Sequence, residues 1–423
     1  MGNWETETLE NCLSAIIDYR GKTPTKTSSG VPLITAKIVK NGRIETPNEF
    51  IGEKDYSSWM TRGFPKIGDV ILTTEAPLGE IAQITDERIA LAQRIILLRG
   101  KENFLDNSYL KYFLLSEVGQ SQLGSRSSGT TVLGIKQSEL RKVKVTFPKF
   151  PEQKAIAQIL SSLDDKIELN RQMNATLEAI ARALFKAWFV DFEPVRANLE
   201  NRPSESASPE IAKLFPSEFE NGIPKGWERK PLIEFFRLIG GGTPKTTNPE
   251  YWNGKILWYS VVDAPNESDV FVIDTEKKIT QLGLEKSSTK LLRKGLTIIS
   301  ARGTVGKLAI TGAEMTMNQS CYAIEGKFGD YFTFYVVMEA IAELKQKTHG
   351  AVFDTITQDT FKSISQILPK ERVTTEFETK VDPIMRSIES NLRMSKKLSE
   401  IRDSLLPRLI SGKVRIGEAA KML

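Results

Sequence analysis

Residues 151–190 read PEQKAIAQILSSLDDKIELNRQMNATLEAIARALFKAWFV, and this stretch decides the fold. Ile156, Leu160, Leu163, Ile167, Asn170, Asn174, Leu177, Ala181, Leu184 and Trp188 fall at alternating steps of four and three. That rhythm averages about 3.5 residues, which places the side chains on one narrow stripe of an α-helix, the seam of a coiled coil. Pro151-Glu152 suits a first helical turn, where the missing proline N–H costs nothing. Roughly 36 residues at 1.5 Å rise predict a rod of about 54 Å.

The same rhythm returns 221 residues later. Phe377, Val381, Ile384, Ile388, Asn391, Ser395, Leu398, Arg402, Leu405 and Leu409 repeat it, polar break included, and Ser411-Gly412 supplies a stop. A polar layer in an apolar seam costs stability and fixes register, so the two stripes are expected to pack on each other. The register extends upstream of the rods, where Gly129, Ile135 and Gln137 answer Gly350, Ile356 and Gln358.

Farther out the match loosens, as it does where insertions fall in loops. Trp4-Glu5 answers Trp227-Glu228, Lys22-Thr23-Pro24 answers Gly242-Thr243-Pro244, and Gln93 answers Gln319. Gly68 and Gly79 answer Gly295 and Gly306. The chain thus reads as two mixed α/β blocks, 1–150 and 226–370, each followed by a long helix, 151–190 and 371–412. Residues 191–225, rich in proline and serine, read as a connector, and 413–423 as a tail. Runs of β-branched residues at 69–74 and 296–300 predict strands, and 109–115 and 331–337 predict helices.

Composition excludes several chemistries. The 423 residues are 40% hydrophobic and 26% charged, with a net charge of +5, and no run is long enough for a membrane helix; a cytoplasmic protein is expected. Cys12 and Cys321 are the only cysteines and His349 is the only histidine, so neither a disulfide framework nor a cysteine–histidine metal clamp is available. A phosphate loop and a dinucleotide fingerprint are both lacking. Asn248-Pro249-Glu250-Tyr251 reads as turn chemistry, and Glu276 and Lys278 with Asp269 or Asp274 as a surface strand. No catalytic or metal site is expected.

Reading DNA needs different residues: amides, hydroxyls and forked cations for base edges, cations and backbone N–H groups for phosphates. Both blocks carry polar glycine-containing loops of that kind. The candidates are Arg20, Lys22, Thr23, Gln93, Arg94, Arg126, Ser128 and Thr130 in the first block. In the second they are Thr243, Lys245, Arg302, Thr304, Lys307, Asn318, Gln319 and His349. At the rod ends Trp188, Phe189, Phe192, Leu406 and Leu409 form apolar runs expected to cover a partner.

Three segments resemble a known family. Glu152 to Ala157 with Leu163 to Ile167 and Leu184 to Phe192 is similar to the central conserved region of type I restriction–modification specificity subunits, and Leu405 to Gly412 to the distal one. Gly241-Gly242-Thr243-Pro244 followed by Asn248 to Trp252 resembles the opening of a target recognition domain. The resemblance implies an α+β protein with an internal pseudo-two-fold repeat, its two target recognition domains separated by two long antiparallel coiled-coil helices. It implies a non-catalytic subunit reading a bipartite, asymmetric site in double-stranded DNA. Two DNA-methylating modification subunits would dock on the helices and restriction/translocase subunits would join. S-adenosylmethionine, ATP and magnesium would be bound by those partners, and no cofactor by this chain. The residues alone also admit a DNA-binding regulator acting by itself, or a coiled-coil scaffold with no DNA role.

Overall fold

The computed structural model describes residues 4–19, 21, 23–129, 132–265, 268–348 and 355–419. The chain divides into two compact units, residues 1–166 with 397–423 and residues 167–396. Each therefore contains one globular block and parts of both long helices, which run Phe150–Phe189 and Glu371–Ile410. The helices begin and end 221 residues apart, in the register of the sequence repeat.

In the first unit the strands Leu13–Asp18, Ile95–Gly100, Val70–Thr74 and Leu78–Gln83 form an antiparallel sheet in that order. Val70–Thr74 is buried along its whole length, and its β-branched residues on either side of Leu72 suit a central strand. Behind the sheet lies the helix Asn107–Leu115, started by Asp106, whose carboxylate accepts from Tyr109 N at 2.9 Å. A smaller sheet holds a parallel pair, Ala90–Leu91 beside Val31–Ile34. Glu5–Thr8 pairs with Lys144–Phe147 just before the long helix starts.

The second unit repeats the plan. Phe236–Gly240, Cys321–Gly326, Thr297–Ser300, Leu308–Thr311 and Phe271–Val272 form its main sheet, antiparallel except for the last pair. Met315–Met317 lies parallel to Trp252–Tyr259, and Glu228–Pro231 pairs with Ser365–Leu368. The counterpart of the first unit's helix is longer, Asp330–Thr348.

The seam residues are buried where the helices meet. In the first unit Ile156, Leu160 and Leu163 share a core with Leu405 and Leu409; in the second Ala181 and Trp188 share one with Phe377, Val381 and Ile388. Each fully buried side chain of this size contributes ~2 kcal/mol relative to exposure. The polar layer closes on itself inside the second unit. Asn170 Nδ2 donates to Ser395 Oγ at 3.1 Å, and Asn391 Nδ2 to Asn174 Oδ1 at 2.9 Å. Numbers rise on one helix as they fall on the other, so the pair is antiparallel.

The connector residues 191–225 are themselves folded. They form helices Glu193–Leu199 and Pro209–Ala212 and a hairpin of Phe219–Glu220 with Ile223–Pro224, and they bury Phe192, Val195 and Phe215. The serines that suggested solvent are spent on Glu193, which accepts from Ser204 and Ser206 hydroxyls, Glu205 N and Arg202. Burial pushes that carboxyl up, but these donors outweigh it and bring it down to about 2. The second long helix begins without a Pro-Glu pair, and in its first turns the Thr374 and Thr375 hydroxyls donate to the Glu371 carbonyl.

Glu378, on the second long helix, accepts from Phe332 N at 2.6 Å at the start of Asp330–Thr348. Burial raises its carboxyl to about 7, overriding the backbone donors that act the other way. A carboxyl raised on folding favours the fold below its unfolded pKa, and that advantage is lost as pH rises through about 7. Glu378→Gln keeps the acceptor and cannot ionise. Its melting temperature relative to the parent should therefore rise between about pH 5 and pH 8, and a pH-independent difference would contradict the assignment.

Candidate nucleic-acid interface

Strand direction gathers the predicted loops at one end of each main sheet. In the second unit Gly240 and Ser300 end their strands where Cys321 and Leu308 begin theirs. Loops 241–245, 301–307 and 318–320 therefore leave the sheet together. The Thr243 hydroxyl bonds to Gln319 Oε1, joining two of them. Gly242 N donates to Met317 O at 2.9 Å and Trp258 Nε1 to Gly242 O at 3.0 Å, while Pro244 is buried beneath. Gly241 is needed here by contact: a Cβ would lie 1.9 Å from the Asn318 carbonyl oxygen.

The loop 301–307 is a tight hairpin. Gly306 N donates to Ser300 O at 2.9 Å, Lys307 N to Ser300 Oγ at 2.8 Å, and Gly303 and Gly306 have φ of +75° and +81°. Arg302, Thr304 and Lys307 are exposed on it, as is Lys245 nearby in the fold. Neither Lys245, Arg302 nor Lys307 forms an ion pair with a described residue. Cations held on short loops with no counter-ion among the described residues suit phosphates or the acceptor edge of guanine.

The first unit builds the same end differently. Asp18 and Thr74 end their strands where Ile95 and Leu78 begin. Gln93 Nε2 donates to Thr23 Oγ1, the counterpart of the Thr243–Gln319 contact, and Pro24 is buried as Pro244 is. Arg94 has a left-handed backbone, φ +69°, costing about 1 kcal/mol in a residue with a Cβ. It pairs with Glu75 at 2.9 Å across the neighbouring strand end. Ser128 and Gly134 exchange backbone bonds of 2.9 and 3.0 Å, and Ile135 N reaches Thr74 O at 2.9 Å, which straps that loop to the same end.

Thr23, Gln93, Arg94 and Ser128 are thus brought together, as are Thr243, Lys245, Arg302, Thr304, Lys307, Asn318 and Gln319. Arg126 turns aside toward Glu139 at 3.9 Å, and Asn318 spends its oxygen on Ser320 N at 3.0 Å. Arg20, Lys22, Thr130 and His349 lie outside the described residues. Sequence reasoning missed Glu75, whose position at the end of a buried strand, opposite Arg94, becomes informative only once the strands are paired.

The two motifs set aside as ordinary chemistry have structural work. Asn248 Oδ1 accepts from Glu250 N at 3.1 Å in a turn, and Asp274 lies between Lys278 and Lys396. Among the described residues no group of histidine, cysteine or acidic side chains could hold a metal ion. Burial raises the Cys321 thiol, at the foot of the Gln319 loop, to about 12, which leaves it protonated and unreactive at neutral pH.

The apolar runs expected to cover a partner are a correction. Trp188 is 1% exposed, and Phe189, Phe192 and Leu409 are also buried, with Leu406 partly so. Trp188 packs on Phe215 and Phe377, and Phe189 on Phe332 and Trp227, so the chain's own aromatics consume this surface. The exposed apolar side chains lie elsewhere on the first long helix: Leu169 at 47%, Met173 at 44% and Ile180 at 51%. Their spacing of four and seven was readable as a second stripe beside the seam. Below them Ile180, Ala183, Leu184 and Ala187 line a groove of about 680 Å³ closed by Glu205 and Ser206.

A family model described as the type I restriction modification DNA specificity domain matches residues 1–179 and, a second time, residues 224–381. The chain is 30% identical to the type I restriction enzyme HindI specificity subunit of Haemophilus influenzae, over 64% of this chain and 69% of that one. It is 28% identical to the MjaIX specificity subunit of Methanocaldococcus jannaschii, over 92% and 88%. Among solved structures, the S subunit of a type I restriction–modification system from M. genitalium superposes with a TM-score of 0.57. That chain is 15% identical, with 96% of each covered, a likeness of fold.

Adjacent glycines provide a test of the loop geometry. A methyl at Gly241 must displace the Asn318 carbonyl, whereas one at Gly240 meets nothing within 4 Å. Gly241→Ala should cost about 1–3 kcal/mol in chemical denaturation, the range for forcing an atom into a packed site. Gly240→Ala should cost much less, and equal losses would contradict the packing described.

Proposed function

The chain belongs to the type I restriction modification DNA specificity family and is a sequence-recognising specificity subunit, and from that premise we propose how its parts divide the work. Each sheet end with its loops reads one half of a bipartite, asymmetric site in double-stranded DNA. The observation that supports this most is the doubled Thr–Gln contact, Thr23 with Gln93 and Thr243 with Gln319, standing at equivalent places beside cations that differ between the copies. Equivalent scaffolds with unlike side chains are what two unlike half-sites require. Arg302, exposed on its loop, would fork onto a guanine, and Gln93 and Gln319 carry amides of the type that pair with adenine.

The chain itself performs no chemistry in this reading. Modification subunits supply S-adenosylmethionine binding and adenine methylation, and restriction/translocase subunits supply ATP- and magnesium-dependent cleavage. The docking face for a modification subunit is the exposed stripe Leu169, Met173 and Ile180 with the groove beneath it, in place of the buried aromatics. Met394, 48% exposed at the repeat position of Met173, offers a reduced counterpart on the second long helix.

Long-read methylation mapping of the source organism with and without the gene tests the function: a bipartite adenine-methylated motif should vanish on deletion, and a motif that survives would refute it. The docking face has its own test. Ile180→Glu or Met173→Glu should lower recovery of the modification subunit in co-purification at least ten-fold. The melting temperature of the purified chain should stay within a degree or two, because both side chains are already half in solvent. Undiminished recovery would move the partner elsewhere.

A further inference from the structure

The repeat is broken at one half-buried place in the helix pair. In the first unit Asp164 accepts from Arg402 at 2.8 Å, from Lys111 at 2.8 Å and from the Tyr112 hydroxyl at 2.7 Å. Burial alone would raise this carboxyl, yet the three donors hold it below the usual carboxylate range. The 221-residue repeat maps Asp164 onto Met385 and Arg402 onto Ala181. Both of those are fully buried in the apolar core of the second unit. The charged pairing of one unit is therefore an apolar pairing in the other.

Size is broken in the same direction. Phe185, Trp188 and Phe189 fill the second unit's core against Phe332, Tyr335 and Phe377. Their repeat counterparts Leu406, Leu409 and Ile410 pack in the first unit's smaller site.

We propose that these differences form a pairing key: the helix of the first half accepts only the helix of a second half, and rejects a copy of itself. The geometry of rejection follows from the register. Two first halves joined through their helices would set Asp164 against Ala181 and leave the carboxylate without its arginine. They would also drive Trp188 into a site sized for leucine. Two second halves would set the Arg402 guanidinium against Met385, leaving it only the solvent-exposed Asp403 beside it on its own helix. Asp164 would keep Lys111 and Tyr112, but a partly buried ion cluster that loses one member is destabilised, and an overfilled core adds to it. The central layer does not discriminate, because Asn170 and Asn174 face Ser395 and Asn391 and could face each other equally well. The partner that fits the Asp164 surface is thus a second half carrying arginine at position 402, from this chain or from another copy. This inference concerns assembly and stands or falls apart from any DNA reading.

The full-length protein, with a protease site placed in the exposed Asn221–Gly222 turn, is folded and then cut. A light batch and one labelled with heavy nitrogen are unfolded together, refolded and weighed by native mass spectrometry. Every particle should contain one first half and one second half, with light and heavy freely mixed. Arg402→Met should make particles of two second halves appear, and Arg402→Lys should suppress them again. Random pairing, with like-with-like particles as common as mixed ones in the parent, overturns the proposal. So does an Arg402→Met protein as strict as the parent. A variant that refolds poorly is read by the same masses after prolonged exchange of the cut native protein.

Discussion

An amide layer buried in an apolar seam constrains everything else in this molecule. Asn170 and Asn174 are almost wholly buried, and they are satisfied only when Ser395 and Asn391 stand opposite them. A slip of one heptad would place Asn170 and Asn174 against Ile388 and Ile384, or in the other direction against Arg402 and Leu398, so that buried amide groups lose their partners at about 1–3 kcal/mol each. The register of the helices is therefore fixed by what must not be left unbonded, while the aliphatic and aromatic seam residues supply the attraction.

That register matters because each block is fastened to a helix at its first turn. In the first unit Gln153 is fully buried; it accepts from Asp106 N at 2.9 Å and donates to the carbonyls of Phe104 and Pro148. The corresponding residue of the second copy is Thr374, equally buried, and nearby Glu378 reaches Phe332 N. A helix whose start is bonded into its block carries that block's sheet as a fixed attachment. The strand order then decides which loops gather at the sheet end. The first unit spends its arginine there on Glu75, whereas the second leaves Arg302 without a described ionic partner, so the two ends differ in charge although their frames agree.

The two rods, the polar break and the mixed α/β blocks were legible in the sequence because they follow from periodicity. A seven-residue rhythm repeated at fixed distance has few other physical explanations. The loops that gather at each sheet end were legible as composition, and Thr23, Gln93, Thr243 and Gln319 stood out by recurring. What periodicity could not give was pairing across the chain. Trp188, Phe189 and Phe192 looked exposed because their cover, Phe215, Trp227, Phe332 and Phe377, lies far away in sequence. Residues 191–225 looked like spacer because the Glu193 hub that consumes their serines is defined by three-dimensional contact. The exposed stripe of Leu169, Met173 and Ile180 was within reach of the same periodic reading, but it is masked by the stronger seam beside it.

The central claim is that each block is an independent reader held on its own helix. The most direct measurement exchanges residues 1–150 for the corresponding block of another family member and maps the methylated motif of cells carrying the hybrid. The account predicts that one half of the motif changes while the other half keeps its bases. A hybrid that alters both halves together, or leaves the motif as it was, would contradict it.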